Sequence, residues 1–309
     1  ALRLLDTEDL HSLRESRKVS QNDEQQCITE LLNASLTKRE IASIYRSDLT
    51  LVISSFEYKL LHNIFKIPEK LLFYIPFLTK VTDLAKSDSY PTFEARKNYM
   101  CIGNFNHAPN VDSIHFIKNE IWPEIHQLLP EAKIHIYGAY MPNPIKNLHD
   151  PATNFIIKGW ISSSKHAFIN SRVCLAPLQY GAGQKGKLFE SMKYGTPNVT
   201  SSMGAESMGN EHNWNGFICD EKTAFVQAAI RLYTQKKVLD SKQQKGYQLI
   251  AANFDKELFQ NLFIKAIKDL CSTLDAHRVS NFIGGMLMQQ TTYATKYLSR
   301  WIELKNKLN

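Results

Sequence analysis

The residues with the most to offer chemically lie between Leu175 and Pro197: Leu-Ala-Pro-Leu-Gln-Tyr-Gly-Ala-Gly-Gln-Lys-Gly-Lys-Leu-Phe-Glu-Ser-Met-Lys-Tyr-Gly-Thr-Pro. An apolar strand pattern, Val173–Leu178, runs into a glycine-bearing turn, Gly181–Gly186. A helical pattern, Lys187–Tyr194, follows and stops at Gly195-Thr196-Pro197. At such a junction the unpaired amides of the first helical turn and the positive end of the helix dipole meet, which makes a ready anion site. Lys185 and Lys187 flank Gly186 and add mobile positive charge where a diphosphate would sit. Glu190, three residues past Lys187, can turn to the same side and accept hydrogen bonds from hydroxyls. Each feature alone has an ordinary explanation in turn sterics, solvation or dipole compensation. Their combination is much more specific.

The same stretch satisfies a second pattern. Gly181-Ala-Gly183-Gln-Lys-Gly186 reads as G-x-G-x-x-G between a strand and a helix, with Glu206 at a spacing suited to a ribose hydroxyl. An NAD(P)-dependent oxidoreductase is therefore the alternative. Against it, the match sits deep inside its domain, and two lysines crowd the turn where a dinucleotide fingerprint wants close helix packing.

Short β-type runs alternate with longer helical patterns through most of the chain, as in α/β units on a parallel sheet. The first ninety residues hold three strand candidates, Leu2–Leu5, Leu49–Ile53 and Leu71–Ile75, with helices ending near Tyr45 and spanning Ser54–Phe65. A polar stretch, Lys86-Ser-Asp-Ser-Tyr-Pro-Thr92, reads as a linker. A fuller series follows. Strands are expected at Tyr99–Ile102, Ala132–Tyr137, Asn154–Ile157, Val173–Leu178, Asn198–Ser201 and Gly216–Cys219. Asp112–Leu129 reads as a helix with Ile114, Ile117, Ile121, Ile125 and Leu128 on its apolar side, and Lys165–Asn170 as a short one. The last ninety residues read as helices, ending in an amphipathic tail from Ser280 to Lys307.

A length of 309 residues suits two domains, and 43% hydrophobic with 22% charged residues excludes a disordered or fibrous chain. Thirty-seven Lys+Arg against thirty Asp+Glu leave +7, but the basic residues are dispersed without aromatic interleaving, so no nucleic-acid groove is expected. Leu71–Leu78, the nearest candidate for a membrane span, is short and contains Pro76. The ten histidines show no metal-ligand spacing. Five widely spaced cysteines without CxxC read as reduced thiols in a cytoplasmic protein. The chain opens on Ala1, directly into Leu2-Arg3-Leu4-Leu5 with no signal-peptide pattern, and a place within a longer protein is the expectation.

The Leu175–Pro197 segment resembles the donor-binding signature of retaining GT-B glycosyltransferases of group 1, also called family 4. Supporting matches are Gly103-Asn-Phe-Asn-His-Ala-Pro-Asn-Val-Asp112, Ile136-Tyr-Gly138, Lys158-Gly-Trp-Ile161 and Val199-Thr-Ser-Ser-Met-Gly-Ala-Glu206. Leu5–His11 and Ser47–Glu57 are similar to the later part of the family's acceptor domain. The resemblance spans roughly residues 1–270 and is tightest over 100–208. It implies an α/β chain of GT-B type: two Rossmann-like domains with parallel sheets, the N-terminal one lacking its first part. Residues 1–90 would be the partial acceptor-side domain, 91–275 the nucleotide-sugar domain, and 276–309 a helix packing back on the first.

The activity implied is transfer of a hexose from a nucleotide-diphospho-sugar to a hydroxyl acceptor, carbohydrate or lipid-linked, with retention and without metal or cofactor. Lys187, Lys185 and the Gly183–Gly186 backbone would hold the leaving diphosphate, and Glu190 would anchor the ribose. Gly159 and Ile161 would border the base, while Asn104, Asn106, Gly204, Ala205 and Glu206 would lie near phosphates and sugar. Two departures matter. Ala182 stands where many members carry a first glutamate, which bears on how sugar hydroxyls are held. The acceptor domain's opening glycine-rich turn has no match in this chain, so a non-catalytic nucleotide-sugar-binding fragment is a further alternative. His107 reads as turn-stabilising or exposed, His11 as a residue near the acceptor side, and Trp160 as packing. The stripe Phe282, Met286, Tyr293, Tyr297, Trp301 also reads as packing. Lys296, Lys305 and Lys307 beside it suggest peripheral contact with the inner face of a membrane.

Overall fold

The computed structural model describes residues 1–20, 23–82, 84 and 90–308. Residues 86–89 of the expected linker lie outside them. Two compact units emerge, one of Ala1–Ile75 with Gln260–Asn309, the other of Pro76–Phe259.

The first unit carries a three-stranded parallel sheet in the order β1 (Leu4–Asp6), β2 (Leu49–Val52), β3 (Leu72–Tyr74). Leu5 pairs with Thr50, and Thr50 with Leu72. All three strands fall where the apolar runs placed them. Three helices (His11–Ser20, Glu24–Asn33, Ser35–Arg46) connect β1 to β2, and Ser55–Asn63 connects β2 to β3. Asp23 caps the second helix by accepting from Gln26 N at 2.7 Å, and Ser54 caps the fourth by accepting from Glu57 N at 3.2 Å. Leu13, Leu31, Ile44, Val52 and Leu61 are buried in this unit.

An ion cluster is one of the ties that join the chain's final segment to the same unit. Asp48, at the start of β2, is almost fully buried. It accepts from Arg278 Nε at 2.9 Å and Arg278 Nη2 at 2.8 Å, and from Arg3 N at 2.8 Å. Burial alone would raise its pKa, but the hydrogen bonds from Arg278 and Arg3 outweigh that and hold the carboxyl well below the usual carboxylate range.

The second unit is a six-stranded, all-parallel sheet. Its order is β6 (Phe155–Gly159), β5 (Ile134–Ala139), β4 (Asn98–Asn104), β7 (Ser171–Ala176), β8 (Asn198–Thr200), β9 (Gly216–Ile218). Alternation along β4 divides the core. Tyr99 and Cys101 face a cluster with Ile114, Ile117, Ile125, Phe225 and Ala229, while Met100 faces Ala167, Phe168 and Cys174 on the other side. Gly216, at φ +136°, is required here because a Cβ would collide with Asn198 O of the neighbouring strand.

The single helix expected over Asp112–Leu129 is instead Ala108–Phe116 and Trp122–Leu128, separated by a wider, π-type turn at Ile117–Ile121. Pro123, which cannot donate to the ladder, sits at the start of the second piece and accounts for the break. Ile114, Ile117, Ile121 and Ile125 stay buried across the turn, whereas Leu128, at the helix end, is exposed rather than in the core. No disulfide joins the five cysteines, and Cys27, Cys101 and Cys174 are buried. No helix among the described residues is long and apolar enough to cross a membrane.

His135 on β5 gives the second unit a pH dependence. Burial, reinforced by Lys158 and Lys133, pushes its imidazole down to about 4. The unfolded chain therefore binds more protons than the folded one below about pH 6.5, and stability falls as pH drops from there towards 4. The separation corresponds to at most about 3 kcal/mol. Urea midpoints measured near neutrality and near about pH 5 should show this loss in the native chain. A His135→Gln variant should lose less, and equal losses would remove His135 as the cause.

Candidate functional site

Strands β4, β5 and β6 run outwards from the middle of the sheet in one direction, and β7, β8 and β9 in the other. The order reverses between β4 and β7, and in open parallel sheets such a reversal opens a crevice beyond the carboxyl ends of the two strands. Two loops flank that point: Phe105–His107 after β4, and Pro177–Lys185 after β7. These are the loops that carry the sequence's candidate residues.

The loop after β7 leads into the helix Gly186–Lys193, with Lys185 at the capping position and no side-chain cap. Leu188 N donates back to Lys185 O at 2.8 Å, and the Gly186 and Lys187 amides before it have no acceptor within the helix. Gly183 is left-handed, at φ +64°, which justifies the glycine sterically. Gly186 is different. A Cβ there would make only ordinary contact, 3.7 Å from Phe77 Cζ. The far end is fixed by Gly195, at φ +63°, where a Cβ would strike the Tyr247 hydroxyl.

Lys187 is half-buried in the first turn, and its Nζ donates to Asn110 Oδ1 at 2.7 Å. Asn110 Nδ2 in turn donates to Asn104 O at 2.7 Å, and Asn106 N donates to Asn104 Oδ1 at 2.9 Å. One hydrogen-bonded chain thus joins the two loops across the reversal point. A second tie is Tyr180, whose hydroxyl donates to Asp112 Oδ2 at 2.6 Å. Burial pushes the thiols of Cys101 and Cys174 up, while the Lys187 charge opposes both shifts, so that charge acts at the heads of β4 and β7.

Lys185 turns back on its own loop. Its Nζ donates to Gly183 O at 2.6 Å and Ala182 O at 2.9 Å, so it braces the bend. Gln184 does similar work: its Oε1 accepts from Phe77 N at 3.1 Å and its Nε2 donates to Ser207 O at 2.9 Å. Glu190, one turn after Lys187, accepts from Ser164 Oγ at 2.8 Å at the start of the helix Ser164–Asn170. That contact brings Glu190 beside the turn that follows β6. Asn110, Gln184 and Ser164 were not among the expected site residues. Asn110 stood inside the quoted Gly103–Asp112 match, and only its spacing to Lys187 in three dimensions reveals it.

The remaining candidates take different positions. Gly159, at φ +75°, ends β6 with open space around it and lines a surface cavity of about 630 Å³ with Tyr140, Lys146, His149, Lys158 and Trp160. Trp160 is 71% exposed, which overturns the expectation that it packs. Ile161 is half-buried one residue further on. Gly204 lies in the one-turn helix Ser202–Ala205 after β8, where a Cβ would collide with Thr200 Oγ1. The side chain of Ala205 is buried with Leu188 and Trp214, whereas Glu206 is half-buried at the helix end. His107 is exposed and occupies the capping position of the helix Ala108–Phe116 without a side-chain cap, in line with an exposed turn histidine. His11, in the first unit, donates through its backbone to Glu40 Oε1 at 2.9 Å, and its Nε2 lies 3.1 Å from Asp9 Oδ1. No group of three or more His, Cys, Asp or Glu suited to a metal ion occurs among the described residues.

Residues 96–235 match the sequence profile described as "Glycosyl transferases group 1". No curated protein matches the chain by sequence. Among solved structures, a mutant of S. aureus TarM in complex with fondaparinux, alpha-GlcNAc-glycerol and UDP is similar at 15% identity. Its TM-score is 0.61, covering 75% of this chain and 46% of that one. Sucrose-phosphate synthase from Thermosynechococcus elongatus matches at 18% identity and TM-score 0.63, covering 87% and 68%. Anabaena HepE, in complex with UDP and glucose, matches at 12% identity and TM-score 0.59, covering 86% and 71%. The chain spans about half the length of the TarM chain.

Proposed function

Because residues 96–235 carry the group 1 glycosyltransferase signature on a GT-B fold, we propose that this chain binds a nucleotide-diphospho-sugar at the β4–β7 reversal and transfers its hexose to a hydroxyl acceptor with retention. The acceptor would be a carbohydrate or a lipid-linked glycan, and the setting a reducing, cytoplasmic one. The observation that carries the reading is the half-buried Lys187 at the start of a helix, held by Asn110 from the first turn of the facing helix.

Breaking the anomeric C–O bond leaves positive charge on the sugar and negative charge on the departing diphosphate. Amide dipoles and an ammonium already oriented at the leaving group stabilise that separation more than the ground state. Lys187 supplies the charge and the Gly183–Gly186 backbone supplies the donors. Lys185 keeps the bend in shape and would exchange its loop carbonyls for phosphate oxygens when the donor binds. Glu190 would accept from the ribose hydroxyls, and the Gly159–Ile161 turn would edge the base. Asn104, Asn106, Gly204, Ala205 and Glu206 would border the phosphates and sugar, with Ala205 taking part through its backbone alone. No metal or organic cofactor enters this scheme.

A thermal-shift screen tests the donor class. UDP, GDP or one of their sugars should raise the melting temperature, and NAD(P) should not; the reverse outcome would replace transfer with an oxidoreductase reading. Glu190→Gln should weaken nucleoside diphosphate binding by about tenfold or more, because a charged acceptor to hydroxyls is lost. Unchanged affinity by calorimetry would take the ribose role away from Glu190. The anomeric configuration of the product, read from its proton coupling, decides retention.

A further inference from the structure

We propose that the Phe282–Leu308 helix is an interfacial element that docks this chain on an anionic lipid surface. The proposal stands on the helix itself and does not depend on the transfer chemistry. The helix has 27 residues and is held at its first turn. There Asn281 Nδ2 donates to Tyr45 O at 2.8 Å, and Gly284 lies so close to the same carbonyl that a Cβ would collide with it.

Beyond that anchor the expected packing stripe is not packed. Phe282 is 80% exposed, Tyr297 62%, Leu304 61% and Trp301 57%, with Met286 and Tyr293 also open. At helical spacing these six side chains fall within an arc of about 100°, and the exposed Leu298 and Ile302 carry the apolar surface on beyond it to about 200°. Cations border it. Lys296, Arg300 and Lys307 fall along one edge, where Glu303, the helix's one acidic residue, also lies, and Lys305 sits between Trp301 and Leu298 on the other side. Lys305 Nζ sits 5.2 Å from the Trp301 ring centroid, a cation–π contact on that face.

This charge pattern chooses the occupant. A second copy meeting the same face would set cations against cations, since a two-fold interface repeats its own patch. Acidic headgroups complement those cations, while tyrosine and tryptophan rings suit the headgroup boundary. The helix lies along such a surface rather than through it, because it is not apolar enough to span.

Co-sedimentation of the full chain with vesicles of phosphatidylcholine containing roughly one third phosphatidylglycerol tests this directly, with pure phosphatidylcholine as the comparison. Partitioning should be about tenfold or more stronger on the anionic vesicles, and should weaken with salt. Lys296→Glu with Arg300→Glu should reduce it by at least about tenfold, at roughly fivefold per cation removed. Tyr297→Ser with Trp301→Ser should abolish it. Circular dichroism and melting should stay unchanged in both variants, whose altered side chains are solvent-facing. Equal partitioning on the two vesicles, or none, overturns the proposal. So does a concentration-dependent dimer in sedimentation velocity that Trp301→Ser dissolves while vesicles go unbound.

Discussion

Lys187→Met should lower turnover by about 100- to 1,000-fold, about 3–4 kcal/mol of lost transition-state stabilisation. Both donor hydrolysis and transfer should fall together, because both need the same leaving diphosphate. Stability should change little. Lys187 is only half-buried, and its partner is the Asn110 amide oxygen at 2.7 Å, which water can replace. Binding of the nucleoside diphosphate should weaken less than turnover, since the leaving group carries more charge in the transition state than in the bound donor. Near-normal turnover in the methionine variant would withdraw the role assigned to this ammonium.

Arg96→Leu should cost about 3 kcal/mol or more of unfolding free energy. The guanidinium is 1% exposed and closes the far end of the site helix. Its Nη1 donates to Gly195 O at 2.6 Å and Thr196 Oγ1 at 3.2 Å, and its Nε to Pro91 O at 3.0 Å. Carbonyls at a helix C-terminus carry partial negative charge and have no partner within the helix, so a fixed cation suits them twice over. Leucine fills the space but leaves buried acceptors without donors. Calorimetry should show the melting temperature of the Pro76–Phe259 unit falling by about 6–12 °C, with weaker donor binding because the helix bearing Lys187 and Glu190 loses its brace. Arg96→Lys should recover only part, since one ammonium cannot reach the same set of carbonyls. An unchanged melting temperature would show that Gln243, which also donates to Gly195 O at 2.7 Å, suffices alone.

Much of this arrangement is legible in the chain itself. Strand positions come from short apolar runs, and the helix end at Gly195-Thr196-Pro197 comes from stop residues, of which Gly195 takes the left-handed backbone. The strand–turn–helix junction at Lys187 also follows from local pattern. What pattern could not supply is distance. Asn110 lies 77 positions from Lys187, and Ser164 lies 26 from Glu190. Such partners depend on strand order, which periodicity does not encode. The break at Ile117–Ile121 is a different kind of miss: hydrophobic spacing continued through it, and the backbone cost of Pro123 decided the local geometry. Trp160 and the Phe282–Trp301 stripe were read as packing because large apolar side chains usually are buried. Nothing in a residue's type says whether a neighbour exists to cover it.

The split of the first unit between the two ends of the chain governs how the molecule is made. The Pro76–Phe259 unit is one unbroken stretch and can mature while synthesis continues. The other cannot, because the guanidinium that satisfies Asp48 belongs to Arg278 and leaves the ribosome some 230 residues later. Until then a nascent three-strand sheet holds an acid without its main counter-ion, and this unit reaches its final state only after the stretch that interrupts it has been made.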